Sequence, residues 1–216
     1  DIDNEGMVQL PDDLRVGFYS VVAKLAKDNA VPVTIIREGK KIETALSVSN
    51  EDNRLIRALA GEKPPYFIYG PLVFSPARLD GVASYARVRP NLESMQSLLF
   101  SRILDTVEFP GEELVVVTSP FFAHKITKGY EDPLGQVVKQ VNGTPVKNLR
   151  QLVELLRDCK DEYLTIRFAE EGTETLIFRR DEIEKATDEI LEDNGINPTR
   201  RGSEELVKIW KQRPPG

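Results

Sequence analysis

One stretch, Gly135–Arg157, constrains the fold more than any other part of this 216-residue chain. Its first residues, Gln136–Val141, predict a strand. Asn142-Gly143 follows, the strongest short signal for a tight hairpin turn, because both central residues of that turn need a positive φ. Asn148 can then cap a helix whose apolar residues recur at helical spacing, namely Leu149, Leu152, Val153, Leu155 and Leu156. The stretch therefore predicts a strand, a tight turn and an amphipathic helix in immediate succession.

The order helix, strand, Glu-Gly turn, strand occurs twice in the chain. One copy starts with the predicted helix Leu14–Lys27 and the other with Leu149–Arg157. The strand parts have similar letters, VTIIREGKKIETAL and LTIRFAEEGTETLIF, and we interpret them as an internal repeat. The paired strands are predicted at Val31–Arg37 with Lys41–Val48 and at Glu162–Phe168 with Glu174–Phe178. The first copy lacks strands before its helix, so we expect the chain to begin inside a domain.

The remaining elements are predicted from periodicity and turn residues. Further helices are predicted at Leu92–Leu104, at Asp181–Asp193 and from Ser203 onward. Further strands are predicted at Tyr66–Ser75, interrupted at Gly70-Pro71, and at Leu114–Val117. Irregular structure is predicted for an exposed loop at 78–90 and for residues 50–65, apart from a short helical piece at 55–59. The tail has a local basic excess and is predicted to be solvated, with a binding patch as the alternative; the basic residues are Arg200, Arg201, Lys208, Lys211 and Arg213.

Composition excludes several functions. The formal net charge is −6, so the body of the chain is unsuited to neutralising phosphates, and we expect no nucleic-acid partner. No apolar run approaches the roughly 20 residues of a membrane helix. The single cysteine, Cys159, excludes an intrachain disulfide. One histidine with one cysteine cannot form a common structural zinc site, and no phosphate-loop or dinucleotide motif is present, so we expect no metal or cofactor.

Catalytic residues are hard to assemble from this sequence. A serine triad would need His124, the only histidine, which lies in a predicted loop near Ser119 and Pro120 without a glycine-flanked serine. The acidic residues fall mostly on helix faces and caps, and nothing selects a catalytic pair. We expect no enzymatic activity from this chain, and the alternative from another class is an enzyme with an unrecognised carboxylate site.

The segment Tyr69-Gly70-Pro71-Leu72-Val73-Phe74 is the candidate binding site in this sequence. A glycine turn entering a strand can expose successive backbone N–H groups, which attract a carboxylate. The strand edge beyond the turn can take up an extended peptide as an added strand. The amphipathic helix would supply the other wall of the groove. The alternative interpretation of the same pattern is an ordinary buried strand with a glycine kink.

Four segments resemble the C-terminal PDZ region of HtrA/Deg-type serine proteases, especially plant-type Deg enzymes and their bacterial relatives. They are YFIYGPLVFSPA, LVVVTSPFFAHKITKGYED, GQVVKQVNGTPVKNLRQLVELLRDCKDEYLTIRF and ETLIFRRDEIEKATDEILEDNGI. The resemblance covers Tyr66–Ile196, with Lys128-Gly129-Tyr130-Glu131-Asp132 and Asn142-Gly143 in family order. Residues 1–48 are similar to the second half of the first PDZ domain of the same enzymes.

The resemblance implies an α+β fold, a PDZ-like, partly open β-barrel or sandwich capped by helices and preceded by a partial PDZ domain. The implied domains are the end of a first PDZ domain at 1–49, a linker at 50–65, a second, complete PDZ domain with a helical insertion at 66–180, and C-terminal helices and tail at 181–216. A trypsin-like protease domain would lie N-terminal to this chain. The family also implies a periplasmic or cell-envelope protein in bacteria, or an organellar one in plants.

The implied function is that of a non-catalytic module within a serine endopeptidase of protein quality control. It would bind peptide C-termini or unfolded-protein segments, contact other subunits, and control substrate access and oligomer assembly. The carboxylate loop would be formed by Tyr69, Gly70, Pro71, Leu72, Val73 and Phe74. The helix wall would be formed by Leu149, Val153 and Leu156, with Leu152 and Leu155 facing the core.

One residue of this loop departs from the family pattern. Pro71 has no N–H, so the loop has one donor fewer than usual. The alternative function is therefore a purely architectural protein–protein interaction module whose groove is filled by its own chain. The region 78–106, with its predicted helix, is expected from the sequence to be either that occupant or a lid over the groove.

Overall fold

The chain divides into two compact units, Asp1–Asp52 and Asn53–Gly216, in a computed structural model that describes residues 2–48, 52–90 and 96–212. The division falls within the segment predicted as a linker. Among the described residues, no helix has both the length and the apolar character needed to cross a membrane.

The first unit contains two pairs of antiparallel strands and a helix. Its elements are β1 (Met7–Gln9), β2 (Arg15–Gly17), α1 (Phe18–Leu25), β3 (Ala30–Arg37) and β4 (Lys40–Ser47), with β1 paired to β2 and β3 to β4. Helix α1 begins at Phe18 rather than at the predicted Leu14. Residues at its predicted start instead form β2, where the Arg15 guanidinium binds the carboxylates of Asp3 and Glu5.

The second unit contains two antiparallel sheets. The first has the strand order β5-β6-β7, formed by Phe67–Tyr69, Leu72–Pro76 and Val115–Val117. The second has the order β11-β10-β8-β9, formed by Leu176–Arg179, Tyr163–Phe168, Val138–Val141 and Thr144–Pro145. A β-bridge between Val116 and Val137 joins the sheets, which in the described part of the chain do not close into a barrel. The predicted α+β class is confirmed.

Five α-helices accompany these sheets in the described part of the second unit. They are α2 (Leu79–Val88), α3 (Leu98–Ser101), α4 (Leu149–Asp158), α5 (Arg180–Asp193) and α6 (Glu204–Lys211). Short 3-10 turns occur at Lys125–Thr127 and Pro198–Arg200. Helix α4 begins at its predicted cap, because the Asn148 side chain accepts a hydrogen bond from Gln151 N–H at 2.9 Å.

Three predicted elements differ from the structure. The predicted loop at 78–90 forms helix α2, because Val82 and Tyr85 lie one turn apart and both pack into an apolar core. The predicted helical piece at 55–59 is not helical; Arg57 instead forms a β-bridge with Arg78. Of the helix predicted at 92–104, residues 92–95 lie outside the described residues, and the described part contains the single turn α3.

Two apolar cores lie on opposite faces of the sheet β5-β6-β7. Val115 and Val117 belong to the first core, which also contains side chains of α4, α5 and α6. Val116 belongs to the second core, with residues such as Val82 of α2 and Leu99 of α3. Alternate residues of a strand point to opposite faces, so β7 is covered on both sides. The helical insertion therefore packs on the face opposite α4.

Candidate functional site

The predicted binding loop forms a tight β-hairpin. Strands β5 and β6 pair with Tyr69 opposite Leu72, so Gly70 and Pro71 are the two turn residues. Gly70 has a φ of +54°, which glycine adopts at little steric cost. Tyr69, Leu72 and Phe74 are at most 1% exposed. The hairpin is therefore part of the apolar core.

Neither residue of this turn offers an N–H group to a carboxylate. Gly70 N–H donates to the Thr187 hydroxyl of α5 at 2.7 Å, and Pro71 has no N–H. The Thr187 hydroxyl donates in turn to the Ile183 carbonyl, also at 2.7 Å. A β-carbon on Gly70 would lie 2.6 Å from Ile183 Cγ1, so α5 packs directly against the turn. A buried hydrogen bond thus occupies the place of the predicted anion site.

Strand β6 is paired along both edges. Strand β5 lies on one edge, with Phe67 opposite Phe74, and β7 lies on the other, with Val117 opposite Phe74. Thr118 N–H extends the second pairing by donating to the Val73 carbonyl at 2.9 Å. An extended peptide adds to a sheet through an unpaired edge. Strand β5 holds the position that a peptide added to β6 would take.

The predicted wall residues of α4 are buried. Leu149, Val153 and Leu156 are at most 2% exposed. Leu152 lies in the core, and Leu155 is half-buried, packs against the same core and also lines a pocket of about 570 Å³ on the flank of the helix. The structure brings the predicted wall and the predicted loop into one core, with side chains filling the space between them.

Helix α6 covers part of α4. Arg150 of α4 forms an ion pair with Glu205, and the Arg157 guanidinium donates to the Ile209 carbonyl at 2.8 Å. Ile209 is buried in the same core as the predicted site residues. The C-terminal helix is therefore a structural neighbour of the groove.

Aromatic rings of β5 and α6 surround a buried cation. The Trp210 ring lies 5.4 Å from the Phe67 ring and 5.5 Å from the Tyr69 ring. The Arg201 guanidinium lies 4.4 Å from the Trp210 centroid and 5.0 Å from the Phe67 centroid, and it donates to the Ile68 carbonyl at 3.1 Å. Burial lowers the pKa of Arg201. Cation–π attraction stabilises a guanidinium that has no carboxylate at ion-pair distance among the described residues.

This cluster is not among the features predicted from the sequence. Arg201 was predicted to belong to a solvated tail, but it is only 8% exposed, so that prediction is wrong for this residue. Trp210 carried the available signal, because the only tryptophan of the chain lies one helical turn after the apolar Leu206. Nothing in the local pattern indicates that this helix packs against β5.

The Lys128–Asp132 motif closes a sheet edge. The Tyr130 hydroxyl donates to the Ile177 carbonyl at 2.5 Å and accepts from Ile177 N–H at 3.3 Å, so it satisfies both outward backbone groups of Ile177 in β11. The Asp132 carboxylate accepts from Phe121 N–H at 3.0 Å. The motif therefore has a structural role in this unit.

Both ring nitrogens of His124 have structural partners. Nε2 lies 2.9 Å from a Glu189 carboxylate oxygen, and Nδ1 accepts from Ile126 N–H at 3.2 Å. Because Nδ1 accepts, the proton lies on Nε2 in the neutral ring. The nearby Ser119 hydroxyl donates to the Pro120 carbonyl. His124 caps the 3-10 turn that follows it.

Comparison with known proteins defines the class of this protein. Residues 57–203 match the PDZ domain family, and the chain belongs to that family. PDZ domains are peptide-binding modules that use strand addition. The PDZ-like fold expected from the sequence is confirmed.

Several Do/Deg-type proteases are similar to this chain. Protease Do-like 2, chloroplastic, from Arabidopsis thaliana is 27% identical over 202 residues, which are 94% of this chain and 32% of that protein. Putative protease Do-like 11, mitochondrial, from the same plant is 27% identical over 195 residues, 90% of this chain and 30% of that protein. The serine protease DegP homolog of Plasmodium falciparum (isolate 3D7) is 29% identical over 161 residues, which are 74% of this chain and 17% of that protein. The chain spans about a third or less of these relatives, and its resemblance to the PDZ region of HtrA/Deg proteases is confirmed.

Proposed function

We propose that this chain is the non-catalytic PDZ region of an HtrA/Deg-type serine endopeptidase, and that it controls subunit assembly, and through assembly substrate access, with a peptide groove filled by its own chain. The named relatives support the protease assignment. The single observation that supports a filled groove is the pairing of β6 on both edges, by β5 and by β7.

Strand β5 resembles a bound peptide in geometry. It runs antiparallel to β6, and its alternate residues Phe67 and Tyr69 are buried in the core that contains Val153 and Leu156 of α4. In strand addition, alternate side chains of the added strand enter pockets of the receptor in this way. The occupant is therefore β5, whereas α2 and α3, from the region 78–106 expected to fill or cover the groove, pack in the other core.

A filled groove changes how the module can act. A peptide C-terminus would have to displace β5 from β6, break the Gly70–Thr187 hydrogen bond and replace two buried aromatic side chains. An unpaired buried polar group alone costs about 1–3 kcal/mol. The surfaces that remain available to partners are the outer faces of the unit, and contacts there would join subunits.

Titration with a library of C-terminal peptides tests this proposal. Each peptide is used as a free acid and as an amide, and anisotropy is followed to saturating peptide; we expect no binding that depends on the free carboxylate. The protein stays unchanged in this comparison, which matters because substitutions at the buried Leu149 and Val153 would lower stability as well as binding. We also expect the average molecular mass of the protein in solution to rise as its concentration is increased.

The second candidate function is peptide capture in the groove, which family membership favours. Saturable binding that needs the free carboxylate would establish it and would overturn the filled-groove proposal. A generic peptidase assay on the same samples tests the remaining alternative, because an enzyme with an unrecognised site would hydrolyse substrate.

A further inference from the structure

We propose that residues 198–211, here called the strap, are an exchangeable ligand of the outer edge of β5, and that a second copy of this chain can supply the strap in place of the chain's own. The proposal rests on the proposed function, because it names one contact through which this module can assemble. The occupant of the β5 edge is identified by the contacts that the strap makes within its own chain.

The strap binds β5 as an added strand does. Ile68 N–H donates to the Arg201 carbonyl at 2.7 Å, and Ser203 N–H donates to the Tyr66 carbonyl at 3.0 Å. Tyr66 N–H donates to the Ser203 hydroxyl at 3.1 Å. These bonds join the strap to the free side of β5, the side not paired with β6. This is the hydrogen-bonding mode in which sheets bind extended peptides.

Side chains give this contact its specificity. Gly202 lies opposite Phe67, and a β-carbon on Gly202 would lie 2.7 Å from Phe67 Cδ2 and 2.9 Å from the Tyr66 carbonyl oxygen. Arg201 and Trp210 of the strap both pack against the Phe67 ring of β5, with centroid distances of 5.0 Å and 5.4 Å. Buried arginine and tryptophan side chains are typical anchors of protein interfaces. The edge therefore selects a segment with the strap's own sequence.

The docking surface does not depend on which chain contributes the strap. The partners of the strap in the body of the unit lie in β5 and α4. In α4, Arg150 pairs with Glu205 of the strap, and Arg157 donates a hydrogen bond to the Ile209 carbonyl. The connection from α5 is the short link 194–197, whose residues are exposed apart from the half-buried Ile196. Exchange of an identical element between copies creates a dimer at low energetic cost.

One turn holds the strap on its own chain. Gly195 has a φ of +64°, its N–H donates to the Glu192 carbonyl at 2.9 Å, and Ile196 N–H donates to the Leu191 carbonyl at 2.8 Å. A β-carbon at Gly195 would meet nothing within 4 Å, so a substitution there acts mainly through the backbone angle. Weakening this turn should favour an extended link that reaches a neighbouring copy.

Disulfide trapping of mixed chains tests the exchange. All chains carry Cys159→Ser; one also carries Arg150→Cys and the other Glu205→Cys. Because these positions contact each other in the docked strap, a disulfide between the two chains forms when the strap of one docks on the other. The double variant in a single chain is the positive control, and its intrachain disulfide shows that the geometry permits the bond. Lys208→Cys, exposed on the same helix, replaces Glu205→Cys as the matched negative control.

We expect the mixed disulfide, identified by mass spectrometry, to exceed the Lys208→Cys control and to increase with concentration. Gly195→Val should raise its yield by about fivefold or more, since a positive φ disfavours valine. Gly202→Val should reduce intrachain and interchain products together. A mixed product no higher than the control, with and without Gly195→Val, would overturn the exchange. A mass in solution that rises with concentration without any mixed disulfide would reject the exchange and leave the proposed assembly function standing. Carboxylate-dependent peptide binding would reject the proposed function but not the exchange.

Discussion

At the scale of single residues, polar side chains close the sheets of the second unit. Tyr130 is one example, because its hydroxyl satisfies both the N–H and the carbonyl of Ile177 on the edge strand β11. Unpaired groups on an edge strand invite pairing with another chain. The ring of Tyr130 also packs edge-on against Phe178 at 5.3 Å, which holds the hydroxyl in place.

Tyr130→Phe should lower the free energy of unfolding by about 1–2 kcal/mol, because the ring contact remains while two backbone groups lose a partner. Urea denaturation measures this difference. Tyr163→Phe is the matched control, since Tyr163 is 48% exposed on the same sheet, and it should change stability by less than about 0.5 kcal/mol. Equal effects of the two substitutions would contradict this role of Tyr130.

Glu170 links the helical insertion to the second sheet through a buried carboxylate. It is 3% exposed and accepts hydrogen bonds from Val137 N–H at 3.0 Å and from the Ser97 hydroxyl at 2.9 Å. Burial raises the pKa of Glu170 above its ordinary value. Protonation is therefore easier in the folded than in the unfolded chain.

The sign of this pKa shift predicts a pH dependence. The contribution of Glu170 to stability is present below the ordinary glutamate pKa of about 4.3 and is lost as the pH rises through the raised folded pKa. Glu170→Gln should therefore gain stability relative to the wild type across that window, and urea denaturation from about pH 4 to pH 8 measures the difference. The neighbouring exposed Glu171→Gln is the control and should parallel the wild type. A constant difference between Glu170→Gln and wild type would refute the assigned cause.

At the scale of elements, local sequence signals predicted individual turns and helices better than the contacts between them. The Asn142-Gly143 turn, the Asn148 cap and helix α5 follow from short-range rules and occur close to where they were predicted. The burial of the predicted loop does not follow from short-range rules, because the partner of Gly70 N–H is Thr187, 117 positions further along the chain. The sequence identified residues that meet in one core, but the filling of the groove depends on long-range packing.

Gly70→Ala tests the contact between α5 and the hairpin turn. The alanine would have to adopt φ +54° and would place its methyl group 2.6 Å from Ile183 Cγ1, so we expect a loss of more than about 2 kcal/mol in unfolding free energy. Gly172→Ala is the matched control, with φ +73° and no atom within 4 Å. The difference between the two losses isolates the packing of α5. Similar losses would show that α5 can move away from the turn without penalty.

At the scale of the whole molecule, the two units differ in how much apolar surface they bury. The second contains two cores, whereas in the described part of the first the buried apolar side chains are Val21 and Val31. Every residue of β4 is exposed, and β3 and β4 form a two-stranded sheet. A two-stranded sheet with little burial is marginally stable. The units should therefore open independently.

Native-state hydrogen exchange tests this independence. Amides of β4 that are bonded to β3 should exchange about 100-fold faster than the amides of β7, because opening the first unit exposes little apolar surface while β7 is released only when both cores open. Low urea should accelerate exchange in β7 more steeply than in β4, since the larger opening exposes more surface. A fragment covering Asn53–Gly216 serves as the control and should keep the β7 exchange rates of the full chain. Identical rates and urea dependences in β4 and β7 would mean that the chain unfolds as one cooperative body, and the division into two units would then have no energetic meaning.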